Sequence, residues 1–521
     1  MYKKIKILFN LLTSKQRKNF FLLQIFVILM SFMEIIGVAS IVPFMSLVGD
    51  TTQLQEDTFI SQIYQKSGIV SESHFIFLLG IFVLSMLFIS AMISMFTIWR
   101  LSMFANKIGM EIADRLYIHY LRQNWLFHTS VSSAQLTKKI ATEAQRLTNQ
   151  VLVPIMQMNA RIALAFFMSL CIFLYDPSVA LTGLGVFGFA YFFLFKVVKK
   201  RLQNNGENIS KVNNHRFRLM SDGFGGIKDV LLQGRDKEFI KLFKLTGRTL
   251  AYSEGNNDAL TLVPRYFMEL VAFGTMIALI LYLISNHDGN LGMILPIFSV
   301  YALATFKLLP AFQQIYANIA IIKGNIAAFS TIQQDLIDSM QNQQDKSNDE
   351  RTYLSINEKI SFEDVTFTYP SKTKETLTQI NFSIPAKSIV GIVGSSGSGK
   401  STLIDILIGL IKPDQGQLKI DNMKINDQNR RSWQNNIGFV SQSIFLSEGT
   451  IAENVAFGVP NDQINIENIH RALELANLND FIQSLDNGVD TKVGERGIQL
   501  SGGQRQRIGI ARALYFKPEV L

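Results

Sequence analysis

Six stretches of this chain, roughly 20–48, 74–100, 150–175, 178–198, 261–285 and 292–316, stay apolar over the thickness of a bilayer. About 20 helical residues at 1.5 Å rise cross the hydrocarbon. In that medium each backbone N–H and C=O must be bonded within the protein, which leaves helices or closed barrels. The six runs qualify by length, and the first 338 residues are expected to form a membrane domain of six transmembrane helices. The basic residues Lys3, Lys4, Lys6, Lys15, Arg17 and Lys18 precede the first run, which is too long for a signal-peptide core and lacks a small-residue cleavage pattern.

Charge orders these spans. The loop after the first carries Asp50, Glu56, Asp57 and Glu72 against a single basic residue, Lys66. The segment after the second holds Arg100, Lys107, Arg115, Arg122, Lys138, Lys139 and Arg146. Asp176-Pro177 makes a tight turn between the third and fourth spans, and Lys196 to Asp258 is again basic, whereas Asn286–Asn290 has no Lys or Arg. Basic residues alternate sides, which predicts cytoplasmic termini and a multi-pass protein of the cytoplasmic membrane. The net charge of +9 is spread through these blocks and forms no single patch, so no nucleic-acid partner is expected. Cys171 is the one cysteine, which excludes a disulfide within the chain.

The two cytoplasmic connections are too long for turns and keep helical periodicity, as at Met110, Ile112, Leu116, Ile118 and Leu121. They read as extensions of the spanning helices. Each has a break, at Asn124–His128 and at Asp222–Lys228, and water-exposed Trp125 and Phe127 would be costly. A short helix docking each break onto another domain is expected. Within the spans lie Glu34, Arg161, Arg265, Glu269 and Lys307, which at about 2.5–3.5 kcal/mol each at the bilayer centre are not expected to face lipid. Arg265 and Lys307 are candidates to line a substrate cavity. The alternatives are an ion pair of Arg265 with Glu269 four residues on, and snorkelling of Lys307 and Arg161 to the interface.

From Ser339 to Glu350 the chain is polar and almost without hydrophobes, so 339–358 is expected to be a linker and 359–521 a soluble α/β domain. In it Ser388–Val393 is a short apolar run, followed by Gly394-Ser395-Ser396-Gly397-Ser398-Gly399-Lys400-Ser401 and an apolar helix opening with Thr402. Strand, glycine loop and helix are the context of a P-loop. Backbone N–H groups and the helix N-terminus cradle phosphates. Lys400 would reach the β- and γ-phosphates and Ser401 would hold Mg²⁺. Phe362, Val365, Phe367 and Tyr369 predict a strand, with Tyr369 placed to stack on an adenine. Pro413–Gly416 reads as a turn and Gly438–Gln442 as a strand. Leu500-Ser501-Gly502-Gly503-Gln504 opens a helix with a second anion-binding nest. One ATP does not need two such loops from one subunit, whereas two copies head to tail would use both.

Together, Tyr369, Gly394–Ser401, Gln442 and Leu500–Gln504 resemble the ABC ATPase domain, and with six preceding spans the chain resembles an exporter-type ABC half-transporter. The resemblance implies a homodimer with two ATP between its ATPase domains. It implies an adenine stack at Tyr369, Mg²⁺ and water contacts at Gln442, trans γ-phosphate contacts at Ser501 and Gly503, and a domain-sensing loop at Gly494–Gly497. Val263–Glu269, Lys307–Pro310 and Ser31–Glu34 further resemble the bacterial lipid-linked oligosaccharide flippases. Lys307 stands where those carry arginine, which keeps the charge and loses the bidentate grip. The implied activity is ATP-driven flipping of a polyprenyl-diphosphate-linked glycan or similar amphipathic membrane lipid. Multidrug, lipid A or peptide export is the alternative, and a non-transport ATPase is the reading from another class. The family pattern continues with a strand ending in Asp-Glu, a further loop and a histidine, while here Lys517–Leu521 enters that strand. The expectation is a C-terminally incomplete ATPase domain, and negligible hydrolysis by residues 1–521 alone.

Overall fold

The computed structural model describes residues 2–49, 54, 59–69, 71–175, 177–286, 291–341, 352–494 and 497–521. Within these, side chains at 42, 46, 49, 59–60, 175, 178–179, 182, 184, 279–280, 282–286, 291–307 and 341 are outside the description. Contacts divide the chain into two compact units, one of Met1–Gln123 with Val131–Gln344, the other of Asn124–Ser130 with Asp345–Leu521.

The first unit is helical. Helices α1 (Tyr2–Asn10), α2 (Ser14–Ala39) and α3 (Glu72–Leu121) are followed, after the short helix α4 (Trp125–Ser130), by α5 (Val153–Tyr175), α6 (Pro177–Gly225), α7 (Ile227–Leu232), α8 (Asp236–Asn286) and α9 (Leu291–Gln341). The start of α2 is set locally. Thr13 Oγ1 accepts from Gln16 N at 3.2 Å while Gln16 Oε1 accepts from Thr13 N at 2.7 Å, which satisfies two donors that an open helix end would leave free. The 50 residues of α3 run for about 75 Å at 1.5 Å each, far beyond a bilayer core, as helices with extensions outside the membrane must.

Among the described residues five segments are long and apolar enough to cross a membrane: Ser14–Met45, Glu72–Leu121, Ser133–Leu174, Asp236–Ala278 and Leu308–Met340. The expected span at 178–198 lies in α6 and that at 292–316 in α9, but side chains at four positions of the former and at 292–307 are outside the description. So are Asp176 of the expected turn and residues 287–290 of the last hairpin. The linker begins later than its composition suggests, because α9 continues through Ser339 and Met340 to Gln341 and buries Ser339. Residues 342–351 of that linker are outside the described residues.

Two π-helical segments, Lys139–Ala144 and Thr148–Leu152, interrupt the helix that leads into α5. In a regular α-helix, residues five apart point about 140° away from each other. The π turn instead brings Lys138 Nζ to 2.8 Å from Glu143 Oε1, with Glu143 fully buried. Arg146 completes the cluster. Its Nε donates to Asn325 Oδ1 at 2.8 Å, its Nη1 to Ser210 Oγ at 2.8 Å, and its Nη2 to the carbonyls of Gly206 and Gly324, each at 3.3 Å. One guanidinium thus joins this helix to α6 and α9. The approach of α6 to α9 requires glycine, since a Cβ on Gly206 would lie 1.9 Å from the Gly324 carbonyl oxygen. Gly206→Ala should force the two helices apart, leave the Arg146 bonds unmade and lower the melting temperature. An unchanged melting temperature would show that the helices absorb the methyl.

The second unit is α/β. A four-stranded sheet runs in the order β2-β1-β3-β4, formed from β1 (Lys359–Phe367), β2 (Leu377–Pro385), β3 (Gln415–Ile420) and β4 (Met423–Lys424), with all neighbours antiparallel. Along β1, Ile360 and Phe362, then Val365 and Phe367 beyond a register shift, enter the sheet core, which closes with Trp433, whose indole Nε1 donates to the Leu407 carbonyl at 2.7 Å. A second core gathers helical segments between Leu446 and Tyr515.

Several local expectations are corrected. The run Ser388–Val393 is not in the sheet, and Ile389 and Val393 are exposed. Gly438–Gln442 is not a strand either: Ile437 makes one parallel bridge to Val520, Gly438 N donates to the Val520 carbonyl at 2.7 Å, and pairing stops there. An apolar run becomes a strand only where another strand lies alongside to take its backbone bonds, and no described strand flanks these two. Tyr369 lies two residues past the end of β1, and Gln415-Gly416 already belongs to β3. The soluble unit also takes in residues ahead of 359, with Leu354 and Ile356 against the sheet core.

Candidate functional site

The loop Gly394–Gly399 leads into α10 (Lys400–Leu407). Gly399 caps that helix in the left-handed region at φ 93°, where a Cβ would meet Leu377 Cδ2 at 2.8 Å and the Thr376 carbonyl oxygen at 3.0 Å. Conformation and space both demand glycine there. Lys400 folds back over the loop, its Nζ donating to the carbonyls of Gly394 at 2.8 Å and Ser395 at 2.7 Å. The ammonium therefore sits within the curl of the loop, and Ser401 is exposed beside it. Helix geometry leaves the first-turn N–H groups of α10 without intrahelical acceptors.

Tyr369 joins this loop from 25 residues upstream. Its hydroxyl is 3.1 Å from Thr402 Oγ1, and its ring stands edge-on to Phe367 with centroids 5.0 Å apart. Gln442 is exposed in a bend. The second loop lies elsewhere, on the helical core: Leu500 packs against it and Ser501 caps α11 (Gly502–Leu514). Ser501 Oγ accepts from Gln504 N at 3.2 Å, and Gln504 Oε1 accepts from Ser501 N at 2.8 Å. Gly502 and Gly503 have negative φ, and a Cβ on either would meet nothing within 4 Å. Glycine costs about 1 kcal/mol against alanine within a helix, and nothing in this chain's packing requires it at those two positions. The free space suits the close approach of another body. Glu495 and Arg496 of the expected domain-sensing loop are outside the described residues.

The first break, at Asn124–His128, forms the expected short helix. Helix α4 belongs to the same compact unit as residues 345–521, and Leu126 packs on the sheet core. The Trp125 side chain lies close enough to the carboxyl of Asp405, on α10, to act on its charge. Burial raises the Asp405 pKa above its ordinary value, and Trp125 offsets part of that rise. The second break differs, because Phe224, Ile227, Leu231 and Leu232 around α7 are exposed on the single chain.

In the helical unit Arg265 Nε lies 2.8 Å from Glu269 Oε1, which is the in-helix pairing. The Lys307 side chain is outside the described residues. Sequence reasoning underrated Arg161. With Gln157 and Gln314 it lines a cavity of about 180 Å³, and its Nη1 is 3.9 Å from Glu34 Oε1, which also accepts from Ser94 Oγ at 3.0 Å. The available signal was Glu34, an acid inside the first span that called for a cation on a neighbouring helix.

Residues 377–521 match the family model described as ABC transporter, and residues 19–306 match that of the ABC transporter transmembrane region. The chain belongs to the ABC transporter family. This ABC transporter resembles a bacterial Atm1-family ABC exporter solved with ATP bound, at a TM-score of 0.75 over 95% of this chain and 84% of the other, a likeness of fold at 18% identity. The ATP-dependent lipid A-core flippase of Escherichia coli strain K12 is 27% identical over 440 residues, covering 83% of this chain and 73% of that protein. That of Vibrio cholerae serotype O1 is 26% identical over 462 residues, covering 87% and 76%. The ABC transporter is accordingly an ATP-driven, multi-pass membrane exporter with its helical domain ahead of its ATPase domain.

Proposed function

We propose that this exporter flips a phosphorylated glycolipid across the bacterial cytoplasmic membrane, working as a homodimer with both termini in the cytoplasm. The observation that carries the reading is the similarity to lipid A-core flippases along 83% of the chain, through membrane and ATPase parts alike. ATP hydrolysis supplies the free energy. Gly394–Ser401 and Thr402 would hold the phosphates, with Lys400 over the β- and γ-groups, Tyr369 against the adenine, and Ser401 with Gln442 toward Mg²⁺. The residues fit such a ligand: Gly394–Ser398 are exposed, and the Lys400 ammonium lies against the loop carbonyls. Leu500–Gln504 would face the nucleotide of the second copy, which the empty space over Gly502 and Gly503 supports. The exposed apolar residues of α7 would find their cover on that copy, while α4 has its cover inside the unit of the phosphate-binding helix.

Two cargoes share the chemistry, a lipid A-type glycolipid and a polyprenyl-diphosphate-linked glycan. Both carry phosphate to be met by intramembrane cations, and Arg265 and Lys307 are the candidates. Losing one charge-assisted contact costs about 1.5–3 kcal/mol, or about 10- to 150-fold in affinity. Flipping of each lipid in vesicles should therefore fall by at least about tenfold in Arg265→Ala with Lys307→Ala, at unchanged melting temperature. Equal flipping by wild type and variant would leave Arg265 with its in-helix partner Glu269 as a structural pair only. Flipping of neither lipid by wild-type transporter that hydrolyses ATP would refute the glycolipid reading.

A further inference from the structure

We propose that Lys4, Lys199 and Lys323 form a binding site for the phosphate of an anionic membrane lipid, on the outside of the helical unit and apart from the transport route. The three come from α1, α6 and α9. Lys4 Nζ donates to Ser330 Oγ on α9, and Lys323 Nζ donates to Gln203 Oε1 on α6 at 2.7 Å. Those partners are neutral. The charges of Lys199 and Lys4 both bear on Lys323, and the opposing pull comes from Glu207, whose Oε1 accepts from Gln203 Nε2 at 3.0 Å. Among the described residues none of the three lysines forms an ion pair. Glu207 offsets one of these charges, and the excess of positive charge gathered from three helices repels itself unless a further anion lies among them.

The surroundings say which anion. Along α6, exposed Phe189, Phe192, Phe193 and Val197 give way within one turn to exposed Lys196, Lys199, Lys200 and Arg201. Aromatic and apolar side chains followed by long cations mark a helix leaving lipid for the headgroup layer. On α1, Tyr2, Lys3 and Lys6 are exposed while Leu8 is buried against the unit. The cluster therefore sits at headgroup depth, with apolar surface beside it for acyl chains, which a free phosphate ion would not use. With cytoplasmic termini, as proposed above, the leaflet is the inner one. A phosphodiester there would neutralise the cluster and pin α1 against α6 and α9.

The test uses the full chain in neutral detergent, with phosphatidylglycerol as probe and native mass spectrometry counting the tightest bound lipid. Each lysine at a charged surface is worth about fivefold, so Lys4→Gln, Lys199→Gln and Lys323→Gln together should weaken that binding about 100-fold. The corresponding triple arginine variant should retain it. Phosphatidylcholine should bind weakly to all forms, and inorganic phosphate should not displace the lipid. Wild-type binding by the triple glutamine variant, or equal affinity for phosphatidylcholine, overturns the proposal. Displacement by inorganic phosphate overturns it in favour of a free-anion site. If the triple variant melts early, the exposed Lys199→Gln alone carries the test through its about fivefold loss. The assay contains no transported cargo, so its failure leaves the flippase reading untouched.

Discussion

Lys400→Ala is expected to abolish ATP-driven transport by the full-length transporter, with a loss of at least about 100-fold set by the missing charge-assisted phosphate contact and the catalysis that depends on it. Folding should survive. Among the described residues the Lys400 ammonium hydrogen-bonds the carbonyls of Gly394 and Ser395, on an exposed loop, and its removal uncovers no buried charge there. The measurement is flipping in sealed vesicles, together with nucleotide binding and melting of the same preparation. Full transport at wild-type rates would sink the assignment of Gly394–Ser401 as the phosphate site. Loss of transport with loss of melting cooperativity would point to the fold.

The largest expected effect on stability lies in the other unit. Glu143→Ala leaves Lys138, almost wholly buried, without its counter-charge. Removing one partner of a buried pair costs about 3–5 kcal/mol, whereas replacing both by apolar residues is often neutral or stabilising. Lys138→Met with Glu143→Leu should therefore lie above the single variant in thermal midpoint, although Arg146 Nη1, 3.8 Å from Glu143 Oε2, loses that acid in both. Lys138 would keep a bond from its Nζ to the Ser210 carbonyl, 3.1 Å away, which sets the lower end of the range for the single change. Equal midpoints for single and double variants would mean that the π turn is held by its packing and not by the pair.

What could be read from the sequence was local in origin. Glycine at 399 is dictated by a left-handed backbone at a helix start, Ser501 by unsatisfied N–H groups, and the long apolar runs by a solvent that accepts no free backbone bonds. Such causes act within a few residues and leave their mark at fixed spacing. The segment at Trp125 was legible for a related reason, since an indole on a polar connection needs cover somewhere. What covers it was not: that Leu126 meets the sheet core and Trp125 meets Asp405 depends on surfaces some 280 residues away in the chain. The exposed run Ser388–Val393 shows the reverse case, where a pattern with strand character forms no ladder because pairing belongs to two segments and not to one. Lys138 and Glu143 are the sharpest example. Five residues apart, they read from sequence as charges on different faces of one helix, and only a π turn packed against α6 and α9 by Arg146 turns them into a buried pair. Spacing along the chain determined where helices, loops and phosphate cradles begin. Which side chains meet was decided by tertiary packing, because a buried charge or an open strand edge can be satisfied only by a partner that folding brings from elsewhere.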